Sequence, residues 1–168
     1  MSVLEIVEVP DPVLRKKAKP VKEFNADLER LAQDMAETMY SAPGVGLAAN
    51  QVAVLKQILV IDATPKDEPK SLIVLVNPEI VECESLASQE EGCLSLPDFR
   101  QVIDRSMTIK VRAKNLKGED LEFSAEGLLA RAIQHEVDHL NGKLLFDYSN
   151  PIKREFYIKK RKKLLKNR

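Results

Sequence analysis

The sequence predicts an α+β domain of mostly antiparallel strands packed around a central helix, with a further helix at the C-terminal end. Two observations carry this. Short β-rich apolar runs and a glycine-containing hairpin fill the middle of the chain, and a long amphipathic helical pattern and a basic helical tail follow them. Strands in a block, then helices, give an α+β arrangement rather than alternating βαβ units. The 168 residues, 44% apolar and 31% charged, suffice for one domain with a real core and are too few for two comfortable ones.

The elements follow in order. Asp11-Pro12 reads as an N-cap followed by proline at the first helical position, which starts a short turn. Asn25 caps a helix to about Tyr40, with Leu28, Leu31, Met35 and Met39 at three- and four-residue spacings. The segment Ser41 to Gly46 ends it. Gln57 to Asp62 and Ser71 to Val76 read as apolar strands separated by the polar loop TPKDEP. Met107 to Lys114 alternates Ile109, Val111 and Ala113 with polar residues. Asn115 to Asp120 is a hairpin turn, and Leu121 to Ser124 the returning strand. Ser124 is placed to cap a helix through Asn141, with Gly142 as its C′ residue. A last helix starts at Asn150-Pro151. The expected organisation is a main unit over 1–150, with 151–168 as a basic helical extension of the same domain.

The formal net charge is zero but uneven. Nine of the 26 basic residues and one of the 26 acidic residues lie from Lys153 onward, so the tail carries about +8 and the rest about −8. The N-terminal stretch MSVLEIVEVPDP has no basic region followed by an apolar one, so no signal peptide is read. The longest apolar run, Leu72 to Val76, is too short to span a bilayer. The only two cysteines, Cys83 and Cys93, are read as thiols in a reducing cytoplasm.

The chemistry starts at QHEVDHLNG, Gln134 to Gly142. His135 and His139, the only histidines, lie four apart on a helix and so point the same way, able to chelate one ion. Leu128 and Ala132 extend that face toward the N-terminus. Glu136, one residue round, can reach a water on the ion without ligating it, which is the position of a general base. Asp138 reads as a carboxylate supporting the site or lying on the helix surface, since ligating imidazoles commonly need an oxygen partner on the other nitrogen.

A third ligand is required. The pattern H-E-x-x-H-x-x-G-x-x-H fits Gly142 but fails at Leu145. Glu155 lies in the basic tail, and Asp147 would have to fold back past Gly142. Cys93, in EGCLS, remains. A thiolate is a strong ligand for zinc or ferrous iron, and two imidazoles with one thiolate leave an open position.

These residues resemble a known family. GVGLAANQ (Gly44 to Gln51), EGCLS (Glu91 to Ser95) and QHEVDHLNG are similar to the three signature motifs of the peptide deformylases, in the family's order and spacing. Asn77-Pro78-Glu79 and the basic last helix are similar too, so the resemblance spans nearly the whole chain and matches the bacterial type with a C-terminal helix. It implies removal of the formyl group from N-formylmethionyl peptides. It implies metal ligation by Cys93, His135 and His139, and acid/base work by Glu136. An oxyanion hole is implied at the Gln51 amide and the Leu94 backbone N–H. Peptide contacts are implied at Val45, Gly46 and Gly92, and a methionine pocket at Val45, Leu128, Ala132 and the side of His135. The implied cofactor is one divalent ion, ferrous iron in the cell, with zinc, nickel or cobalt in purified protein.

Arg100, seven residues after Cys93, matches a frequent family arginine and is read as a partner of the Cys93 loop or of Glu91. Three positions depart from the family pattern. Asn50 stands where proline or threonine is common. Gln89 and Arg131 stand where apolar residues are common near the pocket mouth, and Arg131 is read either as snorkelling to solvent or as touching the peptide beyond its methionine. The cationic tail, interleaved with Phe156, Ile158, Leu164 and Leu165, has two readings. It is a solvated helix docked through its apolar residues, or a surface for ribosomal RNA, which the resemblance supports. Neither a membrane nor DNA is expected as a partner.

Overall fold

The structure, a computed structural model, describes residues 2–167. Three helices, α1 (Ala26–Ser41), α2 (Gly127–Leu140) and α3 (Pro151–Lys166), surround one five-stranded sheet. Its strands are β1 (Gly46–Ala48), β2 (Ile58–Ile61), β3 (Ile73–Cys93), β4 (Leu96–Lys114) and β5 (Asp120–Glu126), ordered β1-β2-β3-β4-β5 with every neighbouring pair antiparallel. No helix among the described residues is long and apolar enough to cross a membrane.

Both expected N-caps on the longer helices form. The Asn25 side chain accepts from the Leu28 N–H and that of Asn150 from the Lys153 N–H, each worth about 1 kcal/mol. The Asp11 carboxylate accepts from the Val13 N–H and starts a turn at Pro12–Arg15. β2 reads ILVI because both of its faces are buried. Leu59 and Ile61 pack toward α2 with Ala48, Leu75 and Ile133. Ile58 and Val60 pack toward α1 with Leu28, Met35 and Met39. Burying each such side chain contributes about 1.5–3 kcal/mol, so α1 and α2 clamp the β1–β2 corner from opposite faces.

β3 and β4 are much longer than the runs Ser71 to Val76 and Met107 to Lys114 read from sequence. β3 leaves β2 after Val76, where Asn77 takes a positive φ of 51° and its side-chain amide clasps the backbone of Val21 in both directions. From Glu79 to Cys93 it pairs with β4 alone, through bulges, so its opposite edge has no strand partner among the described residues. The stretch VECESLASQEE carries no apolar alternation because most of it is exposed. Its strand state comes from the ladder with β4, a tertiary cause.

Ser124 does not cap α2. It sits inside β5 opposite Lys110, and the helix begins three residues later without a side-chain cap. Gly127, at φ 60°, makes the turn from strand to helix. At the other end Gly142 has φ 75°, and a Cβ there would lie 2.5 Å from the Arg15 carbonyl oxygen. The glycine of QHEVDHLNG therefore ends the helix where another segment crosses it.

α3 docks on a third core of Leu96, Phe99, Ile103, Leu145, Phe146 and Tyr157. The Tyr157 hydroxyl donates to the Pro97 carbonyl (2.7 Å), and buried Arg161 donates to the Val9 carbonyl (3.0 Å) and to Glu8 (2.8 Å). The residues expected to dock the helix are mostly outside: Phe156 is 73% and Leu164 48% exposed, and Ile158 alone of the interleaved apolar set packs partly on the core.

Candidate metal centre

α2 passes beneath the sheet and presents His135 and His139 on one face, their rings 5.1 Å apart. Gln134 fixes its rotation. Its side-chain oxygen accepts from the Ser106 N–H (3.0 Å) and its amide donates to the Ser106 carbonyl (2.7 Å), tying α2 to β4. Cys93 stands at the end of β3, just before the tight turn at Leu94–Ser95 into β4. The turn carries its sulfur over the helix, 3.2 Å from His139 Nε2. One ligand atom from each of Cys93, His135 and His139 lies within 4.8 Å of the others. The alternatives are elsewhere: Asp147 is bound by Arg15 and by the Leu144 N–H, and Glu155 is exposed on α3.

The surroundings suit a cation. His135 Nδ1 faces Glu91 Oε1 at 3.1 Å, which turns Nε2 toward the cluster. Burial, together with the positive charges of His135 and Arg105, holds His139 well below the ordinary histidine range, whereas at His135 burial is outweighed by Glu136, Cys93 and Glu91, which raise it well above that range, so a cation bound here takes the place of the His135 proton. Glu136 is 5% exposed, its Oε1 has no protein partner, and burial pushes its carboxyl up to about 7 against the opposing charges of His135 and Arg105. β1 crosses so close that a Cβ on Gly46 would lie 2.7 Å from Glu136 Oε2. Glycine at 46 thus lets strand and carboxylate share the site.

Gln51 is 1% exposed and its amide is oriented. The oxygen accepts from the Ala48 N–H (3.0 Å), so the NH₂ turns toward Ser95 Oγ (3.1 Å) and Cys93 Sγ (3.7 Å). A cavity of about 540 Å³ opens beside these groups, lined by Val45, Gly46, Gly92, Leu94, Leu128 and Ala132 among others, within the range of small-molecule and peptide sites.

The family model described as polypeptide deformylase matches residues 3–155. The chain is 51% identical over 160 residues to a peptide deformylase of Thermodesulfovibrio yellowstonii, covering 95% of this chain and 97% of that one.

The chain belongs to the peptide deformylase family.

Solved deformylases agree with it in fold. One from Legionella pneumophila superposes with a TM-score of 0.89 at 42% identity, covering 99% of each chain. One from Acinetobacter baumannii, solved with Met-Ala-Ser bound, superposes with a TM-score of 0.81 at 38% identity, covering 88% of this chain and 99% of that one. The protein is thus a metal-binding hydrolase of protein biosynthesis, and it removes the formyl group from N-formylmethionine at the start of polypeptides.

Of five further residues read from the sequence of this deformylase, Arg100 and Arg131 make contacts other than those expected. Arg100 is not joined to Glu91. Its Nε donates to the exposed Glu90 at 3.0 Å, and its Nη1 packs over Gly92. β-strand alternation accounts for this, because Glu90 and Glu91 point to opposite faces of β3. Asp138 supports the site at one remove: its Oδ2 accepts from Arg105 (2.7 Å) and from the Tyr148 hydroxyl (2.6 Å), not from an imidazole. Arg131 neither snorkels nor is free for peptide through its terminal nitrogens. It is 5% exposed and bonded to Glu91, Ala87 and Ile103. Asn50 is buried and donates to the Lys16 carbonyl (2.8 Å), which holds the N-terminal segment and not the chemistry. Gln89 lines the cavity.

Sequence reading missed Arg105 and Ser95. Arg105 grips Glu91 with Nε on Oε2 and Nη2 on Oε1, both at 3.0 Å. Its only signal was a cation at an inward position of a strand too polar to be read as one.

Burial works against the Glu91 charge, but the hydrogen bonds from His135 and Arg105, the Arg105 charge and the bond from Arg131 outweigh it and hold the carboxyl at about 2. An unfolded glutamate titrates near 4.5, so as pH falls below that value the unfolded chain takes up a proton that the folded one refuses. Metal-free protein is therefore expected to lose about 3 kcal/mol between pH 4.5 and 2 through this group alone. Urea unfolding across that range should show the loss in the parent. Glu91→Gln should be less stable at pH 7 and flatter below 4.5; an equally steep variant would remove Glu91 from the account.

Proposed function

We propose that Cys93, His135 and His139 hold one divalent ion, ferrous iron in the cell, and that Glu136, Gln51 and Leu94 carry the deformylation chemistry beside it. The closeness of the three ligand atoms beneath a buried carboxylate carries this reading. Held there, such an ion would supply Lewis-acid chemistry, lowering the pKa of an attacking water toward about 7 and polarising the formyl oxygen. Glu136, buried beside the cluster, would take the proton of the attacking water and later return it to the departing amine. The Gln51 NH₂ and the Leu94 N–H face the oxygen that becomes negative on attack at the formyl carbon. The Ala48 bond to the Gln51 oxygen keeps that amide in one orientation, so little reorganisation is needed when charge develops.

The free edge of β1 at Val45 and Gly46, with Gly92 across the cavity, receives the substrate backbone by strand addition. Leu128, Ala132 and Val45 enclose the methionine side chain. A small formyl cap fits the narrow space that Gly46 leaves beside Glu136, and a peptide bearing Met-Ala-Ser is the ligand of the Acinetobacter relative. Formate release from formyl-Met-Ala-Ser by anaerobically prepared protein loaded in turn with ferrous iron, zinc, nickel and cobalt tests the reading. No formate with any of the metals sinks it, and a zinc form faster than the iron form would overturn the choice of iron. Gln51→Ala should retain metal and lose about 10²–10³ in kcat.

The extension at 151–168 works on the catalytic unit 1–150 as a docking face for the ribosome, in the cytoplasm where nascent chains emerge. Lys159, Lys160, Lys162 and Lys163 are all exposed, while Tyr157 and Arg161 are committed to the body. Truncation would strip a core residue, so charge reversal is the cleaner test. Replacing the four lysines by glutamate should weaken salt-sensitive co-sedimentation with ribosomes at least ~10-fold and leave short-peptide turnover unchanged. Undiminished co-sedimentation would remove the ribosome from the proposal.

A further inference from the structure

Arg131 lies on α2 one turn before His135, buried, with a guanidinium that the reaction as proposed does not use. Its Nη1 bonds Glu91 Oε2 and the Ile103 carbonyl (3.1 Å), and its Nη2 bonds the carbonyls of Ala87 (2.8 Å) and Ile103 (3.2 Å). One side chain from the metal helix therefore fastens both strands of the β3–β4 ribbon. Glu91 is the carboxylate behind His135 Nδ1, and it belongs to that ribbon.

We propose that Arg131 is a positioning residue for the metal: it locks Glu91 to α2, so that Oε1 stays aimed at His135 Nδ1 and Nε2 of that ring stays on the ion. The inference rests on the metal-site reading above. Arg105 sets the plane of the Glu91 carboxylate, but Arg105 is on β4 and moves with the ribbon. Along the segment that carries Ala87 and Glu91, the ribbon has no strand beyond β3 to hold it among the described residues. Besides His135 itself, the Arg105–Asp138 pair ties it to α2 but reaches the carboxylate only through Arg105, and the Gln134 bonds hold β4 at Ser106, whereas Arg131 touches the carboxylate directly. A ring on one helix whose orientation is set by a carboxylate on a separate two-stranded ribbon needs such a strap. Carboxylates behind ligating imidazoles typically change metal affinity or activity 10–100-fold when disturbed, and Arg131 acts through one.

The test uses the full chain loaded with cobalt. Arg131→Met should release cobalt to a chelator about 10–100-fold faster than the parent and shift its visible absorption bands. Its kcat should fall while KM for formyl-Met-Ala-Ser stays within about twofold, because a strap on His135 alters the ion and not peptide binding. Arg131→Lys should recover part of the retention, since an ammonium can hold Glu91 but not both carbonyls. Should Arg131→Met fail to fold, Arg131→Gln, which keeps donors for Ala87 and Ile103, is read in its place. Cobalt release and bands unchanged from the parent overturn the proposal. So does a raised KM with unaltered release, which would assign Arg131 to the peptide. Cobalt release is read without substrate, so a parent that binds cobalt but liberates no formate would sink the deformylation reading and leave this comparison standing.

Discussion

Glu136→Gln is expected to fold, to keep its ion, and to release formate about 10²–10⁴ times more slowly than the parent. The substitution preserves shape, which matters because Gly46 passes so close that a Cβ there would sit 2.7 Å from Glu136 Oε2. Glu136 is outside the cluster of ligand atoms, so metal content should be unchanged. What the amide lacks is the ability to take and return a proton. A second outcome separates this role from a structural one. Burial holds the folded carboxyl at about 7, whereas it titrates near 4.5 when unfolded. Above pH 4.5 the unfolded chain sheds a proton that the folded chain retains, so this group makes the metal-free fold less stable as pH rises toward 7. Glutamine carries no such cost. Metal-free Glu136→Gln should therefore be more stable than the parent at neutral pH, and the advantage should vanish below about pH 4.5. A variant that is nearly inactive and more stable is what a carboxylate kept for chemistry predicts. Turnover within tenfold of the parent would sink the assignment.

The sequence carried the parts of this site whose causes are local. His135, Glu136 and His139 were legible because helix geometry alone places residues four apart on one face, and Gly142 because a helix end needs a positive φ. Asn25 and Asn150 marked helix starts through a bond that spans three residues. The continuous apolar run of β2 announced burial on both faces. What escaped has causes far away in the chain. β3 beyond Val76 is a strand only because β4 pairs with it, and nothing in ECESLASQE alternates. Without the strand, its facing was unreadable, so Arg100 was assigned to the Cys93 loop or to Glu91, and it packs over Gly92 of that loop while bonding Glu90 on the other face. Arg105 and Arg131 were hidden for the same reason: a cation facing inward is recognised by the buried carboxylate it meets, and Glu91 comes to them from 14 and 40 residues away. Such ion pairs offset a desolvation penalty and leave no periodic trace.

The third ligand is the part of the site that local pattern supplies least, and Cys93→Ser is expected to show the largest loss of metal. Serine keeps the size of the side chain and the turn from β3 to β4, and the Gln51 bonds to Ser95 and Ala48 do not involve the sulfur. The fold should therefore persist. The ion would be left with two imidazoles and a neutral hydroxyl, a weak ligand beside a thiolate. Retention should fall by well more than the roughly 10–100-fold that disturbing a supporting residue costs, so that dialysed protein carries almost no metal. Stability gives an independent reading. A bound ligand stabilises by RT ln(1 + [L]/Kd), about 4 kcal/mol at a thousandfold excess over Kd, so added cobalt or zinc should raise the melting temperature of the parent and barely move that of Cys93→Ser. Asp147→Asn is the matched control. Asp147 accepts two bonds from Arg15 and one from the Leu144 N–H, so its loss should lower stability with no effect on metal content. If Cys93→Ser kept its ion and Asp147→Asn lost it, the site would lie past Gly142. The 3.2 Å approach of Cys93 Sγ to His139 Nε2 would then be packing between a half-buried thiol and an imidazole.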